Sequence, residues 1–307
     1  MTKLRIGTRG SRLALVQAAA TEAALDLAFP GREVERVVIR TTGDRRTDLA
    51  LSEVAKAEGV FDKGVFIKEL EVALEEERID IAVHSLKDVP TVLDGRFEIA
   101  GVLPRAPIRD VLVSRSPGGL DGLGEGARIG TSSVRRAKQL EWLKPGLGLA
   151  DIRGNVPTRM RKVAAGEFDA ILLAEAGLVR LGHVMEEPVE IDGVTLHFEP
   201  LSESNFLPAA GQGAIGFEIR AGDEIAREAV GAINDGPTRV RVTAEREFLR
   251  LLDGGCHTPV GVWSRLEGGI LTMAGRVFPE EGGAPREGGA AGEEPLAVAR
   301  ELFESLI

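Results

Sequence analysis

Three groups of residues have types and spacings that could do chemistry. The first is Asp80-Ile81-Ala82-Val83-His84-Ser85-Leu86-Lys87-Asp88-Val89-Pro90, where polar side chains crowd the end of an apolar run. Open α/β sheets place ligands at the carboxyl ends of strands, so Asp88 is the candidate catalytic carboxylate, with Lys87 beside it. His84 and Asp88 could instead form a satisfied structural pair. A Ser/His/Asp hydrolase built on Ser85 fails on geometry, because neighbours on a strand point to opposite faces. The second group, Asp253-Gly254-Gly255-Cys256-His257-Thr258-Pro259, holds the only cysteine of the chain. One cysteine excludes an intramolecular disulfide and a multi-cysteine metal site. Two glycines favour exposure and His257 could lower the thiol pKa, yet a buried, inert thiol is an equally good reading.

The third group is a set of arginines at places that helices disfavour. Helix amino termini carry partial positive charge and unpaired N–H donors. Nevertheless Arg9-Gly10-Ser11-Arg12, Thr131-Ser132-Ser133-Val134-Arg135-Arg136 and Arg153-Gly154-Asn155-Val156-Pro157-Thr158-Arg159 each set guanidinium groups beside a predicted helix start. Only eight of the 38 basic residues are lysine, and guanidinium matches carboxylate or phosphate in a bidentate way. A polyanionic ligand would reverse the penalty; pairing of each arginine with a local Asp or Glu would do so as well. No G-x-x-x-x-G-K-[ST] run exists and no G-x-G-x-x-G follows the first strand, so carboxylates are preferred over nucleotide phosphates.

The elements that must position these groups alternate. Strand candidates are Leu4 to Gly7, Val34 to Thr41, Ile79 to Val83, Phe97 to Val102, Val111 to Ser114, Arg128 to Gly130, Leu147 to Ile152 and Asp169 to Leu173. Helical patterns fall between many of them, including one capped by Ser11 and one over Phe66 to Glu77, and the alternation predicts parallel sheets covered by helices. Arg5-Ile6-Gly7-Thr8 and Arg128-Ile129-Gly130-Thr131 suggest two similar halves. From about Asp223 the pattern predicts two helices, strands Val260 to Ser264 and Ile270 to Val277, a Gly/Glu-rich loop from Pro279 to Pro295, and a last helix from Leu296 to Leu306. A length of 307 residues with 43% hydrophobic and 28% charged residues fits a globular chain of two or three domains. A net charge of -10 argues against nucleic acid as partner. The absence of a long apolar run or an apolar leader predicts a cytoplasmic protein without a membrane partner.

In order and spacing these motifs resemble the porphobilinogen deaminase (hydroxymethylbilane synthase) family. The resemblance runs through Ile6 to Arg9 with Leu13 to Leu15 and Gln17, Thr42-Gly43-Asp44, Gly64 to Leu70, Asp80 to Pro90, Gly130 to Arg136, Arg153 to Asn155 with Thr158-Arg159, Asp169 to Ala174 with Ala176 to Leu178, Pro208 to Gly216, and Gly254 to Cys256. It departs at His257, where the family usually has Gln, and along 49–62, where the family is shorter. The resemblance implies an α/β fold of two similar, doubly wound domains like those of periplasmic binding proteins, with the active site in a cleft between them, plus a small α+β third domain. The implied limits are 1–103 with 201–221, 104–200, and 222–307. It implies a dipyrromethane cofactor attached through a thioether to Cys256, and condensation of four porphobilinogens with loss of ammonia to give hydroxymethylbilane. By position, Asp88 is catalytic and Lys87, Asp88, Ser133, Arg135 and Arg136 hold the cofactor. Arg9, Ser11, Lys63, Thr131, Arg153, Arg159, Arg180, Gln212 and Gly213 hold substrate. No metal is implied, and a monomer is expected. The rival reading is a carboxylate-binding module of similar fold without chemistry, which a reactive cysteine in an added domain would not serve.

Overall fold

A computed structural model describes residues 3–40, 67–252, 259–279 and 283–307. Lys63, the Thr42-Gly43-Asp44 motif and Cys256 with its neighbours lie outside them. The described residues group into two compact units, Met1–Ala106 with Gly213–Thr243, and Pro107–Gln212 with Ala244–Ile307.

In the first unit, β1 (Leu4–Arg9), α1 (Arg12–Ala28) and β2 (Val34–Ile39) are followed by α2 (Lys68–Glu75), β3 (Ile81–Ser85), a single 3-10 turn at Leu86–Asp88, and β4 (Phe97–Val102). The second unit starts with β5 (Asp110–Ser114), β6 (Arg128–Gly130), α3 (Val134–Leu143), β7 (Gly148–Ala150), α4 (Val156–Ala164), β8 (Ala170–Ala174), α5 (Glu175–Arg180), β9 (Val189–Ile191) and β10 (Val194–Pro200). The chain then returns to the first unit with β11 (Ile215–Arg220) and α6 (Glu224–Ala232), and α7 (Gly236–Leu251) carries it back again. A separate sheet of β12 (Val260–Glu267), β13 (Ile270–Val277) and β14 (Arg286–Gly292), with α8 (Pro295–Glu304), completes the second unit.

The strand orders, β2-β1-β3-β11-β4 and β7-β6-β8-β5-β10-β9, share one scheme. Three parallel strands stand first, β2-β1-β3 in one unit and β7-β6-β8 in the other. An antiparallel strand follows in each, β11 beside β3 and β5 beside β8, and another antiparallel pairing follows that. The sheets are thus mixed, not wholly parallel as the alternation predicts, because the fourth strand of each comes from a distant part of the chain. The four-residue repeat has a structural cause. Arg5 N–H donates to Asp80 Oδ2 at 2.8 Å and Arg128 N–H to Asp169 Oδ2 at 2.8 Å, so each unit ties the strand of the repeat, β1 or β6, to the start of a neighbour through an aspartate. A Cβ on Gly7 would lie 2.3 Å from Ile79 Cδ1, and one on Gly130 about 3.0 Å from Ile171 and Phe168. A side chain at either position would therefore need its neighbours to shift.

Each main sheet buries apolar side chains on two faces. In the first unit Leu4, Ile6, Ile81, Phe217 and Ile219 pack with Ala18 and Leu25 of α1 and Ala226 and Val230 of α6, while Leu70 and Leu74 of α2 cover Ile79 and Ala82. In the second, Val111, Val113, Ile171 and Leu173 meet Met160 and Val163 of α4, and Leu112, Ile129 and Leu172 meet Leu140 of α3. At ~1.5–3 kcal/mol for each fully buried large aliphatic or aromatic side chain, these layers are ample to fix the strand ends that carry the polar groups.

Two expectations need correction. The Gly/Glu-rich stretch is not all loop: Arg286–Gly292 pairs antiparallel with Leu271 to Val277. Its glycines serve close approach, since a Cβ on Gly288 would lie 2.3 Å from Ser305 Oγ and one on Gly292 3.1 Å from Val298 of α8. The hairpin of β9 and β10 lies outside the strand candidates; its Asp192 and Gly193 both have positive φ, 50° and 78°, as a two-residue primed turn requires.

Candidate active site

In the first unit the candidate groups gather at the carboxyl ends of two adjacent parallel strands. β1 ends at Arg9, and Ser11 caps α1 by accepting from Ala14 N–H. β3 runs directly into the turn that holds Lys87 and Asp88, both half-buried. That turn is closed by Val89 N–H donating to Leu86 O at 3.1 Å and fastened to the sheet by Leu86 N–H donating to Ala214 O at 3.0 Å. His84 does not pair with Asp88: its Nε2 lies 2.8 Å from Glu218 Oε2, both side chains being buried. Ser85 accepts from Gln17 Nε2 at 2.8 Å, so it is tied to α1 and is no nucleophile of a triad. Among the described residues, Asp88 is the carboxylate of the turn that follows β3.

In the second unit the corresponding edge is formed by β6, β7 and β8. Ser132 ties two of its loops together, donating from Oγ to Ile152 O at 2.7 Å and accepting from Ile152 N–H at 3.2 Å. Ser133 caps α3 by accepting from Arg136 N–H, and Thr131 Oγ1 accepts from Ser133 N–H at 3.2 Å. Asn155 caps α4, with Pro157 in its first turn, as the residue pattern predicts. Such caps satisfy orphan donors and are worth ~1 kcal/mol each.

The arginines fall into two kinds. Arg135 and Arg136, 6% and 7% exposed, share one fully buried carboxylate. Asp110 accepts from Arg135 Nη1 at 2.7 Å and from Arg136 Nε and Nη2 at 2.9 and 2.6 Å. Gln212 Nε2 joins them, donating to Ile108 O at 2.7 Å and to Asp110 Oδ1 at 3.3 Å. Pairing with a local carboxylate therefore does apply to Arg135 and Arg136, but only in part: two guanidinium charges meet one carboxylate. Burial pulls the Arg135 pKa below the usual range, with the charge of Asp110 opposing and that of Arg136 adding to the fall. Neither Asp110 nor Gln139, which donates to Leu207 O at 3.0 Å beside Arg135, was marked in the sequence. The signal available was a charged residue opening the apolar run 111–113.

Arg153, Arg159 and Arg180 differ. Arg159 Nε donates to Gly154 O at 2.7 Å, folding back on the turn before its own helix. Arg153 Nε is buried and has no hydrogen-bond partner among the described residues. Burial pulls Arg180 down to about 10. An unsatisfied buried donor costs ~1–3 kcal/mol, so an acceptor group at Arg153 Nε would offset that cost. Carboxylates of a ligand fit the need, being anionic and matched to the guanidinium fork. Gln212 closes the second unit and Gly213, with φ 83°, opens the return to the first. Among the described residues no group of three or more His, Cys, Asp or Glu is placed to hold a metal ion, and no helix is long and apolar enough to cross a membrane.

Two family models cover nearly the whole chain: "Porphobilinogen deaminase, dipyromethane cofactor binding domain" over residues 4–228 and "Porphobilinogen deaminase, C-terminal domain" over residues 239–306. The porphobilinogen deaminase of Syntrophobacter fumaroxidans is 43% identical over 311 aligned residues, covering 98% of this chain and 94% of that protein. That of Moorella thermoacetica is 43% identical over 309, covering 100% and 94%. Among solved structures, the periplasmic VFT2 domain of Bordetella pertussis BvgS covers 79% of this chain and 92% of its own at 14% identity and a TM-score of 0.45, too distant a likeness to bear on function. Matched along almost its full length by both family models and by relatives at this identity, the chain belongs to the porphobilinogen deaminase family.

Proposed function

We propose that the chain joins four porphobilinogen molecules head to tail, with loss of ammonia at each step, and releases hydroxymethylbilane, working from a dipyrromethane primer attached to Cys256. The observation that carries this reading is the buried positive charge in the second unit: two guanidinium groups on Asp110, and Arg153 Nε without an acceptor among the described residues. Every pyrrole of substrate and primer bears an acetate and a propionate, so the ligand supplies acceptors where the protein lacks them. Ser133, Arg135, Arg136 and Lys87 hold the primer carboxylates in this reading, while Arg9, Ser11, Thr131, Arg153, Arg159, Arg180, Gln212, Gly213 and Lys63 serve the incoming and growing chain. When bound, the primer supplies the nucleophilic pyrrole carbon to which the first substrate is joined.

Asp88 does the proton work. A carboxyl group there donates to the departing amine, its carboxylate then stands against the cation left on the substrate ring, and it accepts the proton that the attacking pyrrole loses. Among the described residues, Asp88 is the carboxylate in the turn at the carboxyl end of β3. The thioether at Cys256 outlasts turnover because cellular thiols exchange disulfides and not C–S bonds to carbon. The protein acts as a monomer in the cytoplasm in this reading, on a small-molecule substrate, without metal or nucleic acid.

Intact-mass measurement of freshly purified protein tests the proposal. The expected mass exceeds that of the polypeptide by two porphobilinogen units less two ammonia, and Cys256→Ser is expected to lack the addition and the activity. A bare polypeptide mass in active protein would overturn the attached primer.

A further inference from the structure

We infer that Glu218 is a positioning residue for this reaction: through His84 its buried carboxylate holds the end of β3 and the turn that presents Lys87 and Asp88. The inference rests on the reading of Asp88 given above. β11 lies antiparallel to β3, with Gly216 opposite His84 and Glu218 opposite Ala82. Side chains two apart on a strand share a face, so Glu218 lies on the same face as the His84 neighbourhood, diagonal to it, and accepts or shares the proton of Nε2 at 2.8 Å. Gly216 is where Leu86 seats, since a Cβ there would lie 2.7 Å from Leu86 Cδ1, and Ala214 O takes the Leu86 N–H. Alternate residues of one strand thus fasten His84, the Leu86 side chain and the Leu86 backbone. Asp88 stands two residues further on.

Stability does not account for the pair. Glu218 is fully buried, His84 nearly so, and Glu218 Oε1 has no hydrogen-bond partner among the described residues. An apolar pair of similar volume in such a place is often neutral or stabilising, and an unsatisfied oxygen adds a further cost. What the pair supplies is a single geometry, because a directional bond between two strands resists slippage where apolar contacts allow it. The surrounding charges bear on the same spot. Glu71 of α2 is pushed up to about 7 by its burial and by the charge of Glu218, with His84 opposing, while Asp94 and Arg96 act on it more weakly from the following loop.

Steady-state condensation of porphobilinogen by the primer-loaded full chain tests this with Glu218→Leu and Glu218→Gln. A misplacement of about 1 Å costs up to ~100-fold in rate, so Glu218→Leu is expected to lower kcat by about tenfold or more with KM within about threefold, while Glu218→Gln, which keeps a hydrogen-bonding side chain, stays within about threefold of wild type in kcat. Both are expected to carry the wild-type added mass. Should Glu218→Leu not fold, His84→Phe, which puts a ring without nitrogens in place of the imidazole, replaces it under the same expectations. A kcat near wild type in the folded Leu or Phe variant, a change confined to KM, or a Gln variant as slow as Leu would overturn the inference alone. A wild-type chain without turnover would overturn the role of Asp88 and this inference with it.

Discussion

At the residue scale, the described polar neighbours of Asp88 in the first unit are engaged with partners of their own. His84 is held by Glu218, Ser85 by Gln17, and Asp80 by Arg5, whose Nη2 donates to it at 2.7 Å. Burial tends to raise the Asp80 pKa, but the Arg5 hydrogen bonds outweigh it and hold that carboxyl below its usual range, as suits a structural anion and not a proton carrier. Asp88 stands in the turn that follows β3, where the proposed reaction places its proton carrier. Asp88→Asn keeps the shape and removes the proton exchange. The variant is expected to retain the bound primer by intact mass and to lose turnover by at least ~100-fold, the lower range of general acid–base contributions; wild-type kcat in a continuous assay would reject Asp88. The chemically suggestive residues were legible from type and spacing. Their partners were not, because Glu218 and Asp110 are distant in sequence from the groups they hold, His84 by 134 positions and Arg135 by 25.

At the element scale, each edge depends on a strand that carries a closely packed glycine, Gly7 or Gly130, and on helices that start with a capping hydroxyl or amide. The close approach at Gly7 is the tighter of the two repeats, with Ile79 Cδ1 2.3 Å from a Cβ placed there. Gly7→Ala is therefore expected to destabilise the first unit by ~1–3 kcal/mol through overpacking, read as a lower denaturation midpoint at unchanged m. An unchanged midpoint would show that Ile79 can move aside. Strand positions and caps were largely readable: Ser11, Ser133 and Asn155 cap as their types and neighbours predict. The hairpin at Asp192-Gly193 was equally readable, since this dipeptide between apolar runs is a strong turn signal. The strand at Arg286–Gly292 was not, because backbone pairing to β13 needs no apolar pattern and its glycines resemble those of a loop until α8 is seen lying over them.

At the scale of the whole molecule, stability is expected to carry a pH signature from the group beside Glu218. The Glu71 pKa is raised from 4.5 to about 7, by burial first and then by the charge of Glu218. A carboxyl with a raised native pKa contributes stability as the neutral form, fully below its unfolded pKa and progressively less as pH rises through about 7. Glu71→Gln is then expected to melt above wild type at pH 8 and to match it near pH 4.5, with the difference opening between those values in a series of thermal melts. A constant offset across the series would exclude Glu71 as its source.

By itself the amino-acid sequence determined the parts: alternating strands and helices, caps, a repeated Arg-Ile-Gly-Thr turn, arginines set against their helices, and one cysteine after two glycines. Those features are local, so propensity, period and spacing reveal them. Only the tertiary structure decided which strand stands beside which, with β11 inserted between β3 and β4 and β5 between β8 and β10, and hence which charges meet. Burial turns Arg135 and Arg136 from two surface cations into a pair sharing Asp110, and it leaves Arg153 Nε without an acceptor among the described residues. Local pattern sets what a segment can form, whereas desolvation and pairing depend on residues that the chain brings together from far apart.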